Sequence, residues 1–172
     1  MAGFFILLMS MKVRWYLALP GAIAYGFSSY FIIIIGAGHI WKFITLAYIP
    51  PTIAGMVLCY RGKYLAGGAT AALFAMLQIS GNHIQMSYYF LMVVAGFFIA
   101  YGIILFRQGK GRRWWKANAV LAVAAVLAVA ANSPNLYNTY KYSKESMRGT
   151  HSELSDGGNG ASVNSAGGLN KD

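Results

Sequence analysis

Five runs of this chain are too apolar and too long to be the faces of a soluble domain. They cover residues 15–35, 43–60, 64–80, 86–106 and 117–131. A helix needs about 20 mostly apolar residues to cross a bilayer, and tilt or local thinning accommodates somewhat fewer. Lipid offers the backbone no hydrogen bonds, so a spanning segment closes its own as a helix or a closed barrel. The weak two-residue alternation of a barrel strand is missing. The fold class that follows is an all-α integral membrane protein of about five transmembrane helices. Residues 2–11 add a partial N-terminal helix too short to span.

Composition agrees where it matters. The 172 residues are 58% hydrophobic and 10% charged, against roughly a quarter charged in soluble domains. The start MAGFFILLMSMK lacks the basic leading region and small-residue cleavage site of a signal peptide. The single cysteine, Cys59, excludes an internal disulfide and reads as a packing residue beside Arg61.

Charge is distributed more informatively than the net +10 suggests. All four acidic residues, Glu145, Glu153, Asp156 and Asp172, lie in the last 28 positions, and residues 1–144 carry 12 Lys and Arg with no carboxylate side chain. Because the bases cluster between apolar blocks, they read as topology signals and lipid-headgroup contacts rather than a nucleic-acid surface. Lys12 and Arg14 form one basic loop, Arg61 and Lys63 a second, and residues 107–116 a third, nine bases in all. The alternate loops, GAGHIWK and SGNHIQ, hold one base between them. The positive-inside rule places the basic loops in the cytoplasm and the two His-bearing loops, with everything after about Asn132, outside. Trp114 and Trp115 stand beside the bases and read as interfacial anchors.

Pro20 lies inside the first span and Pro50-Pro51 inside the second, where each is expected to kink or break the helix. Gly67-Gly68 and the Ala/Val-rich 117–131 run lack bulk, which suits close helix packing. The 117–131 block is the shortest, and residues 132–136 could lengthen it by a turn. Three regions result: a transmembrane bundle over 1–134, an extracytoplasmic interfacial helix over 135–149, and a Gly/Ser/Asn-rich flexible tail over 150–172. In the second region Tyr137, Tyr140, Lys141, Lys144 and Arg148 fall on one helical face by three- and four-residue spacing.

Few residues are equipped for chemistry. There is no P-loop, dinucleotide glycine fingerprint, CxxC or HExxH, and a bundle without carboxylates has no Asp or Glu for acid–base work. His39 and His83 alone make a poor metal site, since zinc takes three or four protein ligands. Read singly, each histidine and its amide neighbours satisfy a helix end. Read together, Lys42, Lys141, Lys144 and Arg148 could bind a phosphate at the outer surface. His39, Asn82, His83 and Gln85 would then supply hydrogen bonds to the phosphate or a sugar. Polar groups in a membrane cavity usually mark a site.

The wording of the sequence adds a resemblance. AYGFSSYF (24–31), AGHIWK (37–42), LAYIPP (46–51), YRGKYL (60–65), GNHIQMSYYF (81–90), SPNLYNTYKYSKESMRG (133–149) and SEL (152–154) resemble the YfhO family of bacterial multi-spanning membrane proteins, in its Bacteroidetes-type branch. The similarity covers most of residues 1–154 in order. It implies an inner-membrane location and a C-type (GT-C) glycosyltransferase, which uses polyprenyl-phosphate-linked sugars on the extracytoplasmic face. GNHIQ and AGHIWK would then line a carrier or sugar cavity, and YSKESMRG would be a phosphate contact. Family members are several times longer, and their catalytic Asp usually sits in a first outer loop with no counterpart here. The resemblance therefore implies a fragment, inactive alone, with no cofactor of its own. It leaves a divalent metal in the intact protein open. Its partners would be membrane lipid and a polyprenyl-phosphate sugar donor.

Two other classes suit the same residues. A non-enzymatic membrane subunit or scaffold of a larger assembly accounts for the missing carboxylates and the small-residue helices. A transporter is compatible with the proline-bearing spans, but the bundle has no acidic proton or sodium site.

Overall fold

In the computed structural model, residues 1–81 and 83–145 are described, Ile84 and residues 142–145 by their backbone only. The described chain is helical throughout: α1 (Ala2–Ser10), α2 (Trp15–Gly26), α3 (Ser29–Gly36), α4 (Ile40–Tyr60), α5 (Tyr64–Ser80), α6 (Ile84–Arg107), α7 (Gly111–Ala131) and α8 (Ser133–Glu145). Four segments are long and apolar enough to cross a membrane: Trp15–Gly36, Ile40–Tyr60, Gln85–Arg107 and Gly111–Ala131. The fifth, Tyr64–Ser80, is shorter, and its 17 residues sit at the lower end of the spanning range. This is the all-α, multi-span architecture that the apolar blocks dictate. One compact unit comprises Met1–Asn135, and a second begins at Leu136.

Four turns of the first unit share one design. After α1, α3, α4 and α6, a residue with positive φ (Lys12 at 64°, Gly38 at 77°, Gly62 at 90°, Gly109 at 67°) ends the helix. The next N–H reaches back five residues: Val13 to Leu8, His39 to Ile34, Lys63 to Leu58 and Lys110 to Leu105, at 2.8–3.1 Å. This is the Schellman closure, which satisfies end carbonyls that would otherwise lack partners. Glycine takes that conformation without a Cβ clash, and Lys12 is the exception among the four.

None of the three prolines breaks its helix. α2 runs through Pro20 and stops at Gly26, and α4 continues through Pro50 and Pro51 as one helix of 21 residues. Pro51 cannot bond the carbonyl of Ala47, and α1 packs against that point. A Cβ on Gly3 would lie 2.7 Å from Pro51 Cδ and 3.3 Å from the Ala47 oxygen. Thr45 and Thr52 each donate their hydroxyl to the carbonyl four residues back, at 2.9 and 2.8 Å, a pattern that tolerates bending. A run of aromatic contacts, Phe4–Tyr25, Tyr25–Phe31 and Phe31–Phe43, with ring centroids 4.3–5.4 Å apart, ties α1 through α4 together.

The α4–α5 hairpin is packed backbone to backbone. A Cβ on Gly55 would lie 2.5 Å from the Ala71 nitrogen and 2.8 Å from the Gly67 oxygen. One on Gly67 would lie 2.6 Å from the Cys59 nitrogen and 2.7 Å from its sulfur. Gly55 and Cys59 face Gly67 and Ala71, so two small-xxx-small pairs meet, as in close crossings within membranes. Gly68, one position on, turns toward Val120 of α7. Each member of the Gly67-Gly68 pair therefore serves a different neighbour.

The last span departs from expectation at both ends. α7 begins at Gly111, so Arg112, Arg113 and Lys116 lie on its first turns rather than in a loop, and the α6–α7 turn shrinks to Gln108–Lys110. At the other end α7 stops at Ala131 and is not lengthened. Asn132 folds back there, donating to the carbonyls of Met76 and Ala128, both at 2.9 Å. Trp114 is not an interfacial anchor. It is buried, its ring tilted against Phe98 at 4.8 Å and against Phe106 at 5.4 Å, and its indole N–H donates to the Phe98 carbonyl at 3.4 Å. Trp115 is exposed, as an anchor is.

Candidate functional site

The two sets of turns occupy opposite ends of the first unit. Arg61 donates to the carbonyl of Ser10, and Arg113 rests on Gly62, so all three basic turns meet at one end. At the other end Gly81 lies against the Thr45 hydroxyl, which brings the start of α4 beside the α5–α6 turn. Both His-bearing turns therefore share that end, as charge alternation required.

His39 and His83 are the N-cap residues of α4 and α6, yet neither side chain makes a capping bond. Their carbonyls accept the first helix bonds, His39 from Phe43 at 3.2 Å and His83 from Met86 and Ser87 at 3.1 Å. His39 is exposed, while Lys42 and His83 are half-buried. Gln85 is exposed and donates to the Tyr89 hydroxyl at 3.4 Å. No group of three metal-ligating side chains occurs among the described residues. Lys141 is exposed on α8 in the second unit. Asn82, the Lys144 side chain and Arg148 lie outside the described residues, as do the end of the interfacial segment and the tail.

A concavity that the sequence did not single out lies below these turns. A cavity of about 750 Å³ runs between α4, α5, α6 and α7, within the roughly 300–1,000 Å³ usual for small-molecule sites. Its cause is a mismatch in side-chain size. Near the basic end the Trp114 indole fills the space between α6 and α7, against Phe98 and Gly102. Beyond that wedge, α7 presents Ala122, Ala124, Ala125 and Ala128, which are too short to meet Phe90, Leu91 and Val94 of α6. The walls are overwhelmingly apolar, and the cavity is open rather than sealed.

Polar groups stand at its two ends. Toward the His-bearing end, Gln78, buried, donates to the Ser87 hydroxyl at 3.3 Å. Toward the basic end, Tyr60 donates to the Asn118 side-chain oxygen at 2.8 Å, and Asn118 donates in turn to the Trp114 carbonyl at 3.0 Å. Gln78 and Asn118 were legible in principle: each is an amide inside an apolar run, where an unpaired polar group is costly.

No protein-family model, no curated protein and no solved structure matches this chain.

Proposed function

We propose that the chain is part of a YfhO-like membrane glycosyltransferase, and that the α6–α7 groove holds the isoprenoid portion of a polyprenyl-phosphate-linked sugar. The observation that carries this reading is the groove itself. A polyisoprenoid stays in the bilayer and must enter a protein sideways, between spans. An open, apolar cavity lined by α4, α5, α6 and α7, with a buried glutamine and a serine in its wall, suits such a ligand in size and polarity. Its polar end points to the turns that carry Lys42, His83 and Gln85, which are suited to a phosphate and the first sugar hydroxyls. The nine bases at the opposite end argue that this polar end is extracytoplasmic, and the family resemblance implies a bacterial inner membrane.

A photoreactive short-chain polyprenyl phosphate, added to the full chain in nanodiscs, tests the reading. Label is expected on peptides from α6 and α7. Filling the groove with Ala125→Phe or Ala128→Phe should reduce labelling about tenfold, the equivalent of ~1.4 kcal/mol of binding. Unchanged labelling in both variants would sink the groove assignment. Labelling that survives His83→Ala and Lys42→Gln would remove the phosphate from that end. In the intact enzyme, His83→Ala should lower sugar transfer without lowering expression. If the chain is instead a scaffold subunit, no specific label appears.

A further inference from the structure

The basic end of the first unit is electrostatically one-sided in a way topology alone does not require. Three helices, α2, α5 and α7, begin there, and their N-cap residues are Arg14, Lys63 and Lys110, none of which makes a side-chain cap. A helix N-terminus carries roughly half a positive charge and favours Asp, Ser or a bound anion. Here each such end receives a cation instead. Folding then gathers the three turns: Arg61 is bonded to the Ser10 carbonyl, and the Arg113 guanidinium lies on Gly62. A Cβ on Gly62 would come within 2.5 Å of Arg113 Nη2 and 3.0 Å of Cζ. Arg113 Nε is buried with no hydrogen-bond partner. Residues 1–144 contain no carboxylate, so this unit has no internal counter-charge for the cluster.

We propose that this end is a binding site for the phosphate of an anionic phospholipid, built around Arg61 and Arg113 beside the Gly62 turn and flanked by Arg14, Lys63 and Lys110. Guanidinium groups suit this role because each presents several N–H donors in a planar fork matched to phosphate oxygens. The uncapped N–H groups at the starts of α2, α5 and α7 reinforce the field. A lipid headgroup, rather than a free phosphate, follows from the level at which the cluster lies. Trp15 and Trp115, both 66% exposed, flank the basic turns where the apolar helix faces end, and exposed indoles settle at the headgroup layer. The inference is independent of the proposed isoprenoid site.

The test uses the full chain purified in a neutral detergent, with bound lipid counted by native mass spectrometry and thermal stability followed as lipid is added. Phosphatidylglycerol is expected to bind and raise Tm, phosphatidylcholine to do neither, and the effect to weaken as salt screens the exposed bases. Arg61→Gln with Arg113→Gln should weaken phosphatidylglycerol binding about tenfold. Arg113→Lys, which keeps the charge but loses the fork, should recover only part of it. Should the double variant fold poorly, Lys63→Gln with Lys110→Gln removes two exposed cations and must still lower lipid retention severalfold. Equal retention of phosphatidylglycerol and phosphatidylcholine, or undiminished retention in both double variants, overturns the proposal. A Tm rise from inorganic phosphate equal to that from phosphatidylglycerol would overturn the lipid as its source.

Discussion

The α4 helix and the α6 helix make an instructive pair. α6 is the more apolar by mean hydropathy, yet only 11% of its best spanning window is buried inside the protein, against 61% for α4. In water the order would be reversed, because apolar area drives burial. In a bilayer the tails are as apolar as leucine, so hydrophobicity does not draw one helix onto another. Burial instead follows small residues that let backbones approach, together with groups that lipid cannot satisfy. α4 has both: Gly55 and Cys59 against Gly67 and Ala71, and two prolines that disrupt its own hydrogen-bond ladder. α6 has glycines, but no neighbouring backbone approaches them: a Cβ on Gly96 meets nothing within 4 Å and one on Gly102 meets the Trp114 ring, so α6 touches its neighbours through Phe90, Val94, Phe97, Tyr101 and Leu105. The groove is what that loose contact leaves.

The largest effect should come from breaking the tight side. Gly55→Leu drives a side chain into the backbone of α5, where no flexible group can yield, and should cost about 3 kcal/mol or more, or prevent accumulation altogether. Gly68→Ala meets only the Val120 methyl and should cost less, about 1–2 kcal/mol. Reversible denaturant titration in micelles separates the two, and equal losses would mean the hairpin is not backbone-packed.

A smaller effect should appear on α6, and on one face only. Phe90→Ala opens space in the cluster with Ile53 and Val57, and should destabilise by about 2–4 kcal/mol. Ile99→Ala, on the exposed face, exchanges lipid contact for lipid contact and should stay within about 0.5 kcal/mol. The same titration would expose a misplaced face if Ile99→Ala proved the more damaging. The smallest effect concerns the bond that joins α5 to α6 across the groove. Gln78→Leu removes the donor to Ser87 and should cost about 0.6 kcal/mol. A loss several times larger would show that Gln78 belongs to a wider polar network.

The sequence carried the part of this structure that depends on runs and periods. Apolar lengths set the spans, because a backbone in lipid has no alternative to the helix. Charge alternation sorted the turns into two ends. The sequence was less informative wherever a neighbour decides. Pro50 and Pro51 read as a kink or a break without deciding between them, and α4 stays continuous with α1 packed against Pro51. Trp114 read as an anchor because it sits among bases, but its position on the first turn of α7 turns it inward onto Phe98. Arg112, Arg113 and Lys116 read as loop because charge hides a helix start.

The candidate site divides along the same line. His39, Lys42, His83 and Gln85 could be placed at one end from sequence because their turns alternate with basic ones. The cavity beneath them could not, since it arises from alanines on α7 failing to meet large side chains on α6, and those faces are set only once α5 and Trp114 fix the angle between them. The sequence by itself determined that this chain crosses a membrane as helices and which turns lie together. The tertiary structure decided where the helices touch, and so where they leave room: in lipid, packing rests on local shape between particular pairs of side chains, and a one-dimensional pattern of hydrophobicity does not encode it.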